Sequence, residues 1–280
     1  MLKISKISFP GLGIGEFEVD SVAFTIFGAE IAWYAIIITI GMIVAVGYTI
    51  FRARQVGISS DDVLDFALWM IPVGVVGARL YYVFSSIESF TSLKEVLDIR
   101  SGGLAIYGGI IAGGIAAFTV ALVKKIPFLV MADACTPGII LAQAIGRWGN
   151  FMNGEAFGYE TDIFIRMGLN NSLTMYDTLF VHPTFLYESL WNVLGFVLIN
   201  LYYKKRHYDG QIFLMVFGWY GLGRMFIEGL RSDSLYMELF GLSLRVSQVL
   251  AGAILIATAS LLIYFLIKRP KKELYHKSIK

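Results

Sequence analysis

The residues best suited to chemistry lie in one short segment, Gly146 to Gly158, which reads G-R-W-G-N-F-M-N-G-E-A-F-G. It follows an apolar run and contains Arg147, Asn150, Asn153 and Glu155. Such side chains are costly at membrane depth unless they face a partner, a cavity or the interface. The glycines between them allow close backbone approach to a ligand. The segment therefore predicts a functional site, with a polar cap at a helix end as the structural alternative.

A second group of ionisable residues has helical spacing. Arg224, Glu228 and Arg231 stand at i, i+4 and i+7, which places them on one stripe of a helix. An arginine–glutamate pair could be purely structural. Two arginines to one glutamate, however, leave a positive charge unmatched, and the guanidinium fork fits phosphate geometry. The stripe therefore indicates an anion site.

Other polar signals are weaker. The segment from His182 to Glu188 reads H-P-T-F-L-Y-E and enters an apolar run. It favours a helix-entry cap over a metal site, because no H-E-x-x-H pattern occurs. Tyr107 stands among glycines that form either a helix-packing face or a functional element. Tyr34 and Arg79 are single signals.

Composition indicates a polytopic membrane protein. The chain has 280 residues, 57% hydrophobic and 16% charged, whereas soluble domains average about 45–50% apolar and about 25% charged. The net charge of +2 is too small to suggest a nucleic-acid partner. The single cysteine, Cys135, excludes an intrachain disulfide framework and a cysteine-based metal cluster.

Seven apolar runs are each long enough to cross about 30 Å of hydrocarbon. The predicted fold class is an all-α membrane protein with seven transmembrane helices in a single domain, residues 1–280, with no cleavable signal peptide. The runs span about 29–51, 63–84, 102–123, 131–148, 184–203, 211–230 and 246–267.

The odd-numbered runs end on basic clusters, so the positive-inside rule predicts the N-terminus outside and the C-terminus in the cytoplasm. Residues 1–28 are then an amphipathic or irregular outer-face arm, 149–183 an outer-face polar region and 268–280 a basic cytoplasmic tail. Arginines outnumber glutamates around the outer half of the bundle. A cavity of this kind suits an anionic headgroup or solute, but it does not define a reaction.

The motifs resemble one family, the bacterial phosphatidylglycerol–prolipoprotein diacylglyceryl transferases. The segment from Gly146 to Gly158 is similar to its signature. The segment from His182 to Glu188, and Arg224 with its stripe, look like its later motifs in the same order. Tyr34 after Trp33, and residues 102–109, look like its earlier ones. The resemblance runs from about residue 33 to residue 231.

The resemblance implies transfer of a diacylglyceryl group from phosphatidylglycerol to the lipobox cysteine of a preprolipoprotein. A thioether forms and glycerol phosphate leaves, with no cofactor or metal. The enzyme would lie in the bacterial cytoplasmic membrane with its active site toward the outer leaflet. The implied partners are phosphatidylglycerol, the lipobox segment and membrane lipid.

The resemblance also implies residue roles. Arg147 and Arg224 would stabilise the leaving phosphate, and Glu155 or Tyr107 would accept the thiol proton, since the thiolate is the nucleophile. Some family members have histidine where this chain has Tyr107, so a histidine base is not carried over. The implied substrate-binding residues are Tyr34, Arg79, Asn150, Asn153, Gly158, His182, Tyr187, Glu188, Glu228 and Arg231.

Two other functions use the same features. A carrier or flippase for an anionic lipid or solute would also need buried arginines, together with a route to both faces of the membrane. A receptor-like signalling protein rests on the span count alone.

Overall fold

The computed structural model describes residues 4–98, 102–239, 242–268 and 274–275. The predicted basic tail lies outside these residues except for Lys268 and residues 274–275, as do residues 1–3 of the predicted arm. The chain divides into two compact units. One comprises Met1–Gly47 with Thr136–Glu273, and the other Tyr48–Cys135 with Leu274–Lys280. The single-domain interpretation stays a prediction.

Helices dominate both units. Six helices in the described part of the chain are long and apolar enough to cross a membrane: α1 (Trp33–Arg54), α2 (Ser60–Ser85), α4 (Ile106–Lys124), α5 (Phe128–Asn153), α6 (Thr184–Tyr202) and α8 (Val246–Lys268). Helix α3 (Leu93–Leu97) is short. The sixth predicted run forms α7 (Gln211–Glu228), which is less apolar because it contains Gln211, Arg224 and Glu228. A mostly helical membrane fold is thus confirmed, while seven spans stay a prediction.

The expectation of an all-α fold is wrong for the segments outside the long helices. Among the described residues, these segments include eight strands: β1 (Ile4–Phe9), β2 (Ile14–Asp20), β3 (Val22–Ile26), β4 (Ala29–Ala32), β5 (Met167–Asn170), β6 (Leu179–Val181), β7 (Tyr236–Leu239) and β8 (Leu242–Arg245). The first run therefore becomes helical only at Trp33, and residues 4–28 of the predicted arm form two hairpins together with β4. Its glycines form turns, as at Gly13 with φ +73°, rather than breaking all structure.

A four-stranded antiparallel sheet lies against the ends of α5 and α6. Its order is β2-β1-β5-β6, with Ile7 opposite Phe17 on one side and Leu169 on the other. Ile7, Leu169 and Val181 are buried together with Phe185 of α6. Phe151 of α5 packs against the same cluster. This apolar contact holds the last turn of α5 beside the first turn of α6, where most of the predicted site residues lie.

Glycines bring α2 and α4 together within the second unit. A Cβ added to Gly108 would lie 2.3 Å from the Gly77 carbonyl oxygen, and one added to Gly77 would lie 2.7 Å from the Gly108 carbonyl oxygen. The backbones can approach this closely only without side chains. The glycines around Tyr107 therefore form a helix-packing face.

Candidate active site

Three arginines from different segments meet at one carboxylate, that of Glu188 on α6. Arg147 Nη2 on α5 lies 2.5 Å from Glu188 Oε2. Arg224 Nη1 on α7 lies 3.2 Å from Oε1, and Arg231 Nη1, just beyond α7, lies 3.5 Å from the same oxygen. The Glu188 side chain is only 7% exposed. The two arginine motifs predicted from sequence therefore form one charged cluster.

Glu228 extends this cluster one turn along α7. Its Oε2 lies 2.5 Å from Arg224 Nη2, in the predicted i, i+4 relationship. The contact is an ion pair without the alignment of a hydrogen bond, since Oε2 has no hydrogen-bond partner within the described residues. Arg245 Nη1 donates to the Glu228 main-chain oxygen, which joins the end of α7 to strand β8.

Asp233 supplies a third carboxylate that the sequence analysis did not single out. It accepts hydrogen bonds from Arg231 Nη2 at 2.7 Å and Nε at 2.8 Å. Partial burial works against its charge, but these bonds from Arg231 hold the pKa of Asp233 below its ordinary value. Three arginines thus face three carboxylates, Glu188, Glu228 and Asp233, which differs from the excess positive charge expected from the sequence. In the sequence, the position of Asp233 two residues after Arg231 could have identified it as a partner of that arginine.

The last turn of α5 folds back on itself. Asn150 and Asn153 each donate from Nδ2 to Glu155 Oε1 at 3.1 Å, and Arg147 Nη1 donates to Asn150 Oδ1 at 3.2 Å. The fold-back occurs at Gly154, whose φ of +61° ends the helix. Arg147, Asn150 and Asn153 thus lie at i, i+3 and i+6 of α5, and the turn at Gly154 adds Glu155 to them.

Asn171, which the sequence analysis did not identify, holds this turn in place. Its side chain is completely buried, and its Nδ2 donates to the Gly154 carbonyl oxygen at 2.9 Å and to Ser5 Oγ at 3.0 Å. Its Oδ1 accepts from Leu173 N at 2.9 Å and Thr174 N at 3.3 Å. In the sequence, the N-S-L-T spacing, which is typical of a capping box, could have identified Asn171.

Gly158 is a point of close backbone approach. Its N–H donates to the His182 carbonyl oxygen at 3.0 Å. A Cβ at this position would lie 2.6 Å from His182 Cβ and 2.7 Å from the Leu230 carbonyl oxygen. Only glycine therefore lets the backbone at this position pass between the start of α6 and the segment after α7, where Gly158 pairs with Arg231 through an isolated β-bridge. These contacts give Gly158 a structural role.

His182 and Tyr187 contact each other at the start of α6. His182 Nδ1 and the Tyr187 hydroxyl lie 3.2 Å apart. Burial lowers the pKa of His182 below its ordinary value, so its imidazole is neutral near pH 7. The pair joins the residues on either side of the start of α6, but no side chain among the described residues caps this helix at its N-cap residue Pro183, so the helix-entry cap expected from the motif does not form.

Tyr34 lies beside the signature segment. It stands in the first turn of α1, and a Cβ added to Gly149 would lie 2.8 Å from its ring atom Cδ2. Gly149, which lies between Arg147 and Asn150 in the sequence, therefore leaves room for the Tyr34 ring.

Arg79 and Tyr107 belong to the second unit. Four carbonyl oxygens accept from the Arg79 guanidinium at 2.6–2.9 Å, those of Glu95, Val96, Gly102 and Gly103. Arg79 therefore clamps the segment between α2 and α4, and most of its N–H donors are occupied. Tyr107 is half-buried in the first turn of α4.

A small cleft opens beside Glu188. Within the described residues, no cluster of three histidine, cysteine, aspartate or glutamate side chains could hold a metal ion. The cleft is lined by Gln143, Arg147, Glu188, Trp191, Asn192, Tyr220, Gly223, Arg224 and Ile227.

Trp191, which lines the cleft, pairs with Trp219. Trp191 of α6 donates from Nε1 to the Trp219 carbonyl oxygen at 3.1 Å, and Trp219 of α7 donates to the Trp191 carbonyl oxygen at 3.0 Å. The rings stack with centroids 4.3 Å apart. Gly195 and Gly223 make room for them, since a Cβ at either would lie within 2.3 Å of an indole nitrogen. This reciprocal pair fixes α6 against α7.

Comparison with known proteins identifies the family of this chain. The family model for prolipoprotein diacylglyceryl transferase matches residues 21–264. A protein of Enterococcus faecalis named phosphatidylglycerol–prolipoprotein diacylglyceryl transferase is 45% identical over 254 residues, which cover 88% of this chain and 90% of the relative. A protein of the same name from Finegoldia magna is 46% identical over 241 residues, covering 85% and 93%. The chain therefore belongs to the prolipoprotein diacylglyceryl transferase family.

Proposed function

We propose that the protein transfers the diacylglyceryl group of phosphatidylglycerol to the lipobox cysteine of preprolipoproteins, the first step of lipoprotein maturation. The observation that carries this proposal is the convergence of Arg147 and Arg224 on Glu188 in the wall of a small cleft. Family membership supplies the reaction, and the cleft supplies a place for the phosphate.

The proposed chemistry is a displacement at carbon. The thiolate attacks the glycerol carbon that carries the phosphate ester, so that a carbon–sulfur bond forms while the carbon–oxygen bond breaks. The bonding pair leaves with glycerol phosphate, and the thiol proton goes to an acceptor on the enzyme. Arg147 and Arg224 stabilise the charge on the leaving phosphate, where preorganised donors contribute most.

Glu155 is the proposed proton acceptor. Its Oε1 accepts from Asn150 and Asn153, which fixes the carboxylate beside the Arg147 segment and leaves Oε2 for the proton. Tyr107 is the alternative acceptor. Comparing rate against pH for Glu155→Gln and Tyr107→Phe would decide between them, because only loss of the acceptor removes the thiol-deprotonation limb of the profile.

The proposed topology has seven spans, with the N-terminus outside and the active site toward the outer leaflet. Helix α7 has 18 residues and, at 1.5 Å per residue, is about 27 Å long. That length is close to the thickness of the hydrocarbon core. Its ionisable residues, Arg224 and Glu228, are paired within the charged cluster and largely buried. This pairing supports α7 as the seventh span.

The proposal can be tested with purified protein in phosphatidylglycerol vesicles and a peptide that carries a lipobox cysteine. We expect a thioether-linked diacylglyceryl peptide, detected by mass spectrometry. Arg147→Ala should reduce its rate by about 10²–10³-fold, the usual cost of losing a donor to a developing oxyanion. Arg54→Ala is the matched control. Arg54 is exposed, and its side chain donates a hydrogen bond to Ser60 Oγ, outside the charged cluster.

Two outcomes would contradict the proposal. Normal turnover in Arg147→Ala would remove the arginine role. Robust flux of phosphatidylglycerol across peptide-free vesicles, with no thioether product when the peptide is added, would favour a carrier.

A further inference from the structure

The β3–β4 hairpin has one apolar and one polar face. Its register pairs Phe24 with Ile31, Thr25 with Glu30 and Ile26 with Ala29. Directly opposed residues of an antiparallel pair point to the same side. One face therefore carries only Thr25 and Glu30 from these pairs. The other is entirely apolar and consists of Phe24, Ile26, Ala29 and Ile31.

The apolar face ends in an aromatic tip. Phe27 and Gly28 form the two-residue turn, with φ of +47° and +80°, the conformation for which hairpins usually select asparagine or glycine. The Phe27 side chain is fully exposed, and Phe24 and Ile26 are each about half exposed. An aromatic residue at positive φ is uncommon, and its exposure to water would add a further cost.

The hairpin leads directly into a candidate membrane span, α1. Strand β4 ends at Ala32 and α1 begins at Trp33, whose N–H donates to the Ser21 carbonyl oxygen at 2.9 Å. This bond ties the base of the hairpin to the start of α1. Trp33 and Tyr34 are both partly exposed there, and such aromatic residues favour the membrane–water interface. Most exposed side chains of α1 are apolar, and the helix is long and apolar enough to cross a membrane, so the hairpin adjoins a candidate lipid-facing helix.

We propose that the β3–β4 hairpin is a lipid anchor, in which the apolar face and Phe27 enter the boundary between headgroups and acyl chains. Thr25 and Glu30 then face water. The anchor stabilises the N-terminal end of α1, where Tyr34 lies. This inference is independent of the reaction proposed above.

Nitroxide labels at neighbouring positions test the anchor directly. In a Cys135→Ala background, which removes the single native cysteine, Ile26→Cys and Phe27→Cys would report the proposed buried side. Thr25→Cys is the matched control on the other face. In vesicles of phosphatidylglycerol and phosphatidylethanolamine, we expect labels at 26 and 27 to collide mainly with oxygen. The label at 25 should collide mainly with a water-soluble nickel complex.

Two results would overturn the anchor. Equal nickel accessibility at all three positions would place the whole hairpin in water. Labels at 26 and 27 that are immobilised and shielded from both relaxants would show that protein, such as a second copy of this chain, covers the face. Phe27→Asn keeps the turn conformation and should shift a label at 26 toward water, so the result does not depend on one variant.

Discussion

Glu188 contacts Arg147, Arg224 and Arg231 through its two carboxylate oxygens. A phosphate entering the cleft would have to share these guanidinium groups with it. We therefore interpret Glu188 as a positioning residue, which holds the arginines in place before substrate arrives. The substrate-binding role implied by its sequence motif would require the carboxylate to repel the ligand that it binds.

Glu188→Gln should separate binding from turnover. Loss of the negative charge should let an anionic headgroup bind more tightly, so we expect KM for phosphatidylglycerol to fall. Loss of a charged hydrogen-bonding partner, worth about 1.5–3 kcal/mol, should misplace the arginines and lower kcat about tenfold or more. Steady-state kinetics in mixed vesicles measure both quantities. Glu160→Gln, at an exposed glutamate, is the control, and a higher KM with unchanged kcat would instead assign Glu188 to substrate binding.

Asn171→Asp should loosen the Glu155 turn without altering its residues. The substitution replaces the Nδ2 donor with an oxygen facing the Gly154 carbonyl and Ser5 Oγ. Leaving buried groups unpaired costs about 1–3 kcal/mol each, so we expect a lower thermal midpoint in detergent and a lower kcat. Ser172→Ala, at the exposed neighbouring position, should change neither. An unchanged kcat in Asn171→Asp would show that the turn is fixed by other contacts.

At the residue scale, the sequence identified the ionisable groups but not their partners. Clustering of Arg147 with Asn150, Asn153 and Glu155 is predictable because they lie within nine residues. The pairing of Arg147 with Glu188 joins positions 41 apart and depends on how α5 packs on α6, which no local spacing encodes. Arg79 shows the same limit, since a buried arginine satisfied by carbonyl groups has no signature of its own.

The packing of α6 on α7 depends on small residues as much as on the two tryptophans. Gly223→Ala would place a Cβ 2.1 Å from Trp191 Nε1, so the indole or the helix must move. Overpacking of this kind costs about 1–3 kcal/mol, and we expect a lower midpoint of thermal unfolding. Gly114→Ala is the matched control, because nothing lies within 4 Å of its Cβ position. A more stable Gly223→Ala variant would contradict the close packing.

At the element scale, hydropathy finds long helices and misses short strands. A run of about twenty apolar residues has few alternatives to a membrane span. The strands have at most seven residues, and their pairing joins distant segments, as in β1 with β5. The first span was predicted to begin at Ala29, because Ala29, Ile31 and Ala32 of β4 extend the apolar run of α1 despite Glu30.

Accessibility of single cysteines tests the arrangement of α7 across the membrane. His207 and Ser243 are exposed and flank this helix. If α7 is a span, a membrane-impermeant thiol reagent should label Ser243→Cys in intact cells and His207→Cys only after permeabilisation. Both variants would use the Cys135→Ala background. Labelling of both cysteines from the same side would leave six spans and reverse one terminus.

At the scale of the whole molecule, composition predicts the membrane class and the basic clusters predict an orientation. The division into two units was not predictable, because both contain membrane-type helices of similar composition. Sequence motifs likewise distribute the predicted site residues over both units, without indicating which of them meet.

The paired indoles restrict how this enzyme can release a lipidated polypeptide. Because each ring is hydrogen-bonded to the opposite main chain, α6 and α7 can neither slide nor separate without losing both bonds together. We therefore expect these two helices to move as one rigid body during turnover. The opening through which the acyl chains leave must then lie at another side of the cleft, for example beside α5.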